Sequence, residues 1–312
     1  MIAPANQVFD LSHFALLEIS GADAVEFMHA QITADLHALD PEGWRFTAWC
    51  LPNGRVISTF ILFRRDDSLY VLLPSMMKDK ILQRLGRYIL RARVAIREAG
   101  DDQALLGLAG PDVYPALNSM GLSVQPGGLR LDRLEGVSLL GLWGNAPRCI
   151  LVCAIEKLSA LSRRISMAFT SGDRVTWSLL DIESGIPWIT EATSESFLPQ
   201  MLNIDQIQGL SYQKGCYPGQ EVVARLHYRG QLKRRLYLGT GTGHVIPGPG
   251  DRLERPDTGE RVGDVIDAER HPDGGFRLLA VADITAAGSA PLSISGSPKS
   301  AVHLQTLTYP AP

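Results

Sequence analysis

The stretch Lys214–Arg225, "KGCYPGQEVVAR", sets Cys216 between two glycines, beside a lysine and ahead of a glutamate and a run of positive charge. Structural thiols sit among apolar neighbours, and this one does not. Gly215 and Gly219 permit tight backbone turns, and Lys214 is placed to bias the thiol toward thiolate. Two readings stay open on these residues alone: a reactive thiol, or a loop cysteine with no task.

The other cysteines read differently. In "RCILVCAI", strand alternation puts Cys149 and Cys153 on the same face as Leu151, so both are expected in the core. Cys50, between Trp49 and Leu51, is also expected to pack. Four cysteines are too few and too scattered for a disulfide scaffold, and paired C-x-x-C metal spacing is absent. A reducing cytosol fits this usage best.

The chain has 312 residues, 45% hydrophobic and 20% charged, with a net charge of -3. That composition belongs to ordinary globular proteins of two domains or three small ones, and the charge gives no general pull toward nucleic acid or an acidic membrane. "MIAPANQVFDLSHFALLEIS" has no basic start before a long apolar core, so no signal peptide is expected. The apolar run "VISTFILF" is too short for a membrane span and ends in Arg64 and Arg65.

Periodicity predicts a strand over 14–19, then a helix in "SGADAVEFMHAQITADLHAL" capped by Ser20. "RVISTFILF" and "SLYVLLP" read as a strand pair joined by "RRDDS", "MMKDKILQRLGRYIL" as an amphipathic helix and "RVAIREA" as a strand. From Leu105 the pattern restarts as strand, helix and strand, in "LLGLAG", "DVYPALNSM" and "RCILVCAI". The fold class expected is α+β, with two similar lobes over residues 1–235. Beyond Arg235 the Gly- and Pro-rich chain carries only short strand-like runs, which reads as a small β-barrel or sandwich over 236–312.

Between Val222 and Arg235 stand Arg225, Arg229, Lys233, Arg234 and Arg235 with no acidic residue. Such a run is either a solvated face or a site for a phosphate, a polyglutamate tail or RNA. The seven histidines form no ligand set, and no Walker loop, dinucleotide fingerprint or G-x-S-x-G elbow is present.

"KGCYPGQE" resembles the K-G-C-[FY]-x-G-Q-E signature of the YgfZ family of folate-binding proteins, which support iron–sulfur enzymes. The match is complete at Lys214, Gly215, Cys216, Tyr217, Gly219, Gln220 and Glu221. "GADAVEFMHAQITAD", "FLPQMLNIDQIQGLSYQ" and "DIESGIP" resemble further family segments, so the likeness runs from residue 11 to about 240. The family is a branch of a larger one that includes the glycine cleavage T-protein, a tetrahydrofolate-dependent aminomethyltransferase.

The resemblance implies a GcvT-like ring of three subdomains around a central folate-sized hole, the last a C-terminal β-barrel. It implies tetrahydrofolate or a derivative as cofactor, with no stably bound metal. Phe14 and Trp177 are implied as aromatic walls, Glu183 as the acid facing the pterin, and Arg225 as a cation for the folate tail. Asp181 is an equal candidate for that acid; the alternatives are that both rings are core packing and that both acids simply face water. Where T-proteins carry a catalytic aspartate pair, "GRVISTFIL" has Ser58 and Thr59. A hydroxyl does not hold the negative charge aminomethyl transfer needs. The function expected is therefore a cytoplasmic, monomeric folate-binding accessory protein for iron–sulfur cluster assembly or repair. Its partners would be client or assembly proteins, with Cys216 as reactive thiol and Lys214 beside it, and neither nucleic acid nor membrane bound directly. The rival readings are a one-carbon transferase and an RNA-associated module acting in tRNA modification.

Overall fold

The computed structural model describes every residue except 1, 4, 40–42, 101, 125–130, 135, 289–290 and 310–312. In order, the chain begins with β1 (Gln7–Asp10), β2 (Phe14–Ser20), α1 (Ala24–His29), β3 (Trp44–Cys50) and β4 (Val56–Arg65). It continues with β5 (Ser68–Pro74), α2 (Lys78–Gly86) and β6 (Ala95–Glu98). Then come β7 (Gln103–Ala109), α3 (Val113–Ser119), β8 (Leu131–Leu134), β9 (Val137–Leu142), β10 (Arg148–Ala154) and α4 (Ile155–Ile165). β11 (Thr170–Ser171), α5 (Arg174–Glu183) and α6 (Gln220–Arg229) lead into the tail. The tail holds β12 (Arg234–Gly241), β13 (Arg252–Glu254), β14 (Arg261–Arg270), β15 (Phe276–Asp283), β16 (Leu292–Ile294) and β17 (Ser297–Thr306).

Three β-layers result. One is a five-stranded sheet of order β3-β4-β5-β2-β6, and the second a six-stranded sheet of order β11-β1-β7-β10-β9-β8. The third, a closed barrel of order β12-β15-β14-β13-β16-β17, settles the expected choice between barrel and sandwich. Period-2 alternation explains how each layer buries two faces. In β4, Phe60 and Leu62 pack with α1 and α2, while Ile61 and Phe63 enter a core shared by all three layers. In β10, Cys149, Leu151 and Cys153 fall in one cluster, as expected, and Ile150 and Val152 face the shared core. In β15, Leu278 and Ala280 fill the barrel while Leu279 and Val281 face outward to that core.

Two details differ from the expectation. The helix after Ser20 is only Ala24–His29, because Ser20 completes β2 and tertiary bonds claim the rest. Ile32 bridges to Trp49, and the Thr33 hydroxyl donates to the Gly209 carbonyl at 2.6 Å. Local helical period loses to those partners. Also, β1 pairs antiparallel with β7 and parallel with β11, so the start of the chain belongs to the second sheet and the two lobes interlock.

Candidate functional site

The Cys216 loop is tied down by three side chains, Lys214, Tyr217 and Gln220. Lys214 is buried, and its ammonium donates to the carbonyls of His29, Ile32 (2.8 Å) and Ala34 (3.0 Å), in the turn that follows α1. Burial pushes Lys214 down to about 8, with Asp35 opposing, which leaves the group charged at neutral pH. Its Nζ also lies 5.2 Å from the centre of the buried Tyr217 ring. The Gln220 amide donates to the Lys214 carbonyl at 3.2 Å and closes the loop on itself. Gly219 starts α6 at φ +85, and a Cβ there would stand 2.6 Å from both Gly54 Cα and the Leu51 carbonyl oxygen. Only glycine fits. Held this way, Cys216 is the exposed cysteine of the chain, while Cys50, Cys149 and Cys153 are buried. Burial pushes the Cys149 thiol up to about 12, which suits a core residue.

The five-stranded sheet, α5 and the barrel meet at a separate cavity of about 380 Å³. The five-stranded sheet contributes Phe14 and Pro74, α5 contributes Arg174 and Asp181, the segment after it Trp188, and the barrel Asp267 and Glu269. Phe14 and Trp188 stand 4.8 Å apart at a tilt of 58°, forming an aromatic corner. Asp181 is buried and twice bonded, by Arg148 Nη1 at 2.6 Å and Trp188 Nε1 at 2.9 Å. Arg148 is fully buried, and its Nε and Nη2 have no hydrogen-bond partner among the described residues. Burial pushes the Asp267 carboxyl up to about 7, reinforced by Asp181 and Glu269 and opposed by the Ala268 N–H and Arg174. His13, also on this cavity, is lowered by burial and by Arg174.

The expected site residues are divided among different places. Phe14 lines the cavity beside the barrel, and so does Asp181, the alternative acid. Trp177 is not brought there: it is buried at 1% exposure against Phe9 (5.3 Å) and Arg148 (5.3 Å). Glu183 lies on another cleft, of about 670 Å³, between the β9–β10 turn and β17, with Arg277 Nε at 3.6 Å and His271 Nε2 at 3.9 Å. Cys216 lines neither space. Ser58 and Thr59 are buried, and Thr59 Oγ1 donates to the Pro187 carbonyl (2.7 Å) and accepts from the Ile189 N–H (3.0 Å). The hydroxyl thus holds Trp188 in place from below.

The basic run divides as well. Arg225, Arg229 and Lys233 are exposed, whereas Arg234 pairs with Asp264 (2.7 Å) and Arg235 with Asp205 (2.7 Å). Sequence reading missed Trp188, Arg148 and Asp267. An arginine opening the otherwise apolar run "RCILVCAI" was the available signal for Arg148. Among the described residues, no group of three or more His, Cys, Asp or Glu has metal-binding geometry, and no helix is long and apolar enough to cross a membrane.

Residues 2–125 match the family model for the GCVT N-terminal domain. The backbone superposes on glycine cleavage system aminomethyltransferase T from Bartonella henselae with a TM-score of 0.79, at 15% identity, covering 98% of this chain and 86% of that one. The fold is therefore that of the GcvT-like aminomethyltransferases. A protein of Sodalis glossinidius (strain morsitans) named tRNA-modifying protein YgfZ is 32% identical over 304 residues, spanning 97% of this chain and 92% of its own length. A Yersinia pestis (strain Pestoides F) protein of the same name matches at the same identity and coverage. The chain belongs to the YgfZ family, within the GcvT-like superfamily.

Proposed function

We propose that this protein binds a tetrahydrofolate in the cavity between the five-stranded sheet, α5 and the barrel, and presents Cys216 to partner proteins of iron–sulfur cluster assembly or repair. The cavity carries the reading. At about 380 Å³ it suits a pterin, with flat apolar faces from Phe14 and Trp188 and acceptor oxygens from Asp181 for ring N–H and amino groups. Bound tetrahydrofolate would supply one-carbon chemistry, and the residues here bind and orient it. Aminomethyl transfer is not favoured, because Ser58 and Thr59 are buried in structural hydrogen bonds where a carboxylate would be required. A single thiol does not complete the set of four protein ligands a stable cluster normally takes, so Cys216 fits transient contact or thiol exchange.

The tRNA link in the relatives' name fits through client enzymes, since tRNA-thiolating enzymes are themselves cluster proteins. Direct RNA contact has one supporting feature, the Tyr212–His227 stack at 3.8 Å with the exposed Arg225 and Arg229 on α6. Binding of tRNA that survives moderate salt would favour that rival.

The test of the leading reading has two arms. Calorimetric titration with tetrahydrofolate is expected to show saturable binding, weakened about tenfold or more by Phe14→Ala, which removes one ring face and leaves a void. In a strain lacking the protein, Cys216→Ala is expected to leave cluster-enzyme activities at the deletion level. Saturable binding that Phe14→Ala leaves unchanged removes the cavity assignment, and full complementation by Cys216→Ala removes the thiol.

A further inference from the structure

Strand β14 carries an irregularity where it pairs with β15: Val265 stands opposite Ala280, but the next pair is Asp267 with Leu279. Ile266 is thereby inserted as an extra residue, and the alternation of faces shifts by one. Val265 and Ala268 pack in the barrel interior, Ile266 joins the core between the layers, and Asp267 and Glu269 line the cavity. In an unbroken strand Asp267 would share Val265's face and be driven into hydrocarbon. The bulge turns this acid out of the barrel and toward the aromatic corner.

There the carboxyl accepts one hydrogen bond, from the Ala268 N–H at 2.9 Å, and makes no ion pair with any described residue. Asp181, on the same cavity, has Arg148 as its counter-ion. The charged and titratable groups facing Asp267 are Asp181 and Arg174 from α5, Glu269 from its own strand and His13 from the segment before β2. With two neighbouring acids, one guanidinium and a partly buried position, such a carboxyl is easier to hold as the acid. We propose that Asp267 recognises the ligand as a carboxylic acid, donating a hydrogen bond to a carbonyl oxygen or ring nitrogen of a planar heteroaromatic amide. It complements Asp181, the acceptor, so that the cavity selects a ring edge bearing both donor and acceptor atoms. The inference rests on the folate reading of this cavity. The pKa of the carboxyl, which burial pushes up to about 7, is consistent with it.

Tetrahydrofolate titrations between pH 5.5 and 8.5 on the wild type and Asp267→Asn test it. Wild-type affinity is expected to fall about tenfold per pH unit above 7, as the donor-competent fraction shrinks. Asp267→Asn keeps a donor that does not titrate, so its affinity should be flat and within about threefold of wild type at pH 6. An unchanged pH profile in Asp267→Asn overturns the role of Asp267 and leaves the folate reading intact. Absence of binding by the wild type at every pH overturns the folate reading, and this inference with it. Without ligand, a carboxyl whose pKa folding raises carries stability that is full below its unfolded value and is lost as pH climbs to about 7. Asp267→Asn should therefore raise the melting temperature at pH 8 and do so much less at pH 5, and an equal gain at both overturns the acid form.

Discussion

Replacing Lys214 with Met lowers the melting temperature by roughly 5–10 °C and loosens the Cys216 loop. Methionine keeps the volume but removes every donor, so the carbonyls of His29, Ile32 and Ala34 lose their partner in a buried place. Orphaned buried acceptors cost about 1 kcal/mol each or more, for a total of roughly 3 kcal/mol. Amide exchange over residues 214–219 should quicken by about a hundredfold, since local opening becomes easier by the same energy. The variant also separates two tasks for this lysine. If Lys214 is an anchor, iodoacetamide modification of Cys216 at pH 7 proceeds as fast or faster in Lys214→Met, because the loop opens. If its ammonium activates the thiol, the rate drops several-fold. The three carbonyls around Nζ favour the first outcome.

The second large effect is at Arg148. Arg148→Met leaves the buried Asp181 carboxylate with the Trp188 indole as its remaining partner among the described residues. Breaking a buried pair by removing one member costs about 3–5 kcal/mol, because the survivor is an uncompensated charge. The melting temperature should fall by roughly 8–15 °C, and tetrahydrofolate binding should weaken, since Asp181 and Trp188 both line the cavity. Adding Asp181→Asn should restore most of the stability without restoring binding. If the double variant is as unstable as the single, the loss came from the packing of the guanidinium on Trp177 at 5.3 Å rather than from charge.

These two effects sit in different parts of the molecule, and the sequence prepared for them unequally. The Cys216 loop was legible only in part: a glycine at positive φ and a glutamine able to reach back six residues are local signals, but the carbonyls that hold Lys214 lie 180 to 185 residues away. The length of the first helix was not, since Thr33 and Ile32 leave the helical pattern for partners on Gly209 and Trp49, far along the chain. The cavity was only half legible. Phe14 and Asp181 were within view, but Trp188 owes its position to Thr59, across 130 residues, and no periodicity reports that contact.

Alternation of apolar residues was enough to mark β2, β4, β5, β6, β7, β10 and the shift to an all-β tail, because each depends on a side chain's neighbours two residues away. Tertiary structure alone decided that β1 crosses into the second sheet, that Trp177 is a core ring while Trp188 is a wall, and that one inserted residue in β14 aims Asp267 at a cavity. Those outcomes depend on which surfaces meet after the layers close, and a partner's face is chosen by packing between segments far apart in the chain.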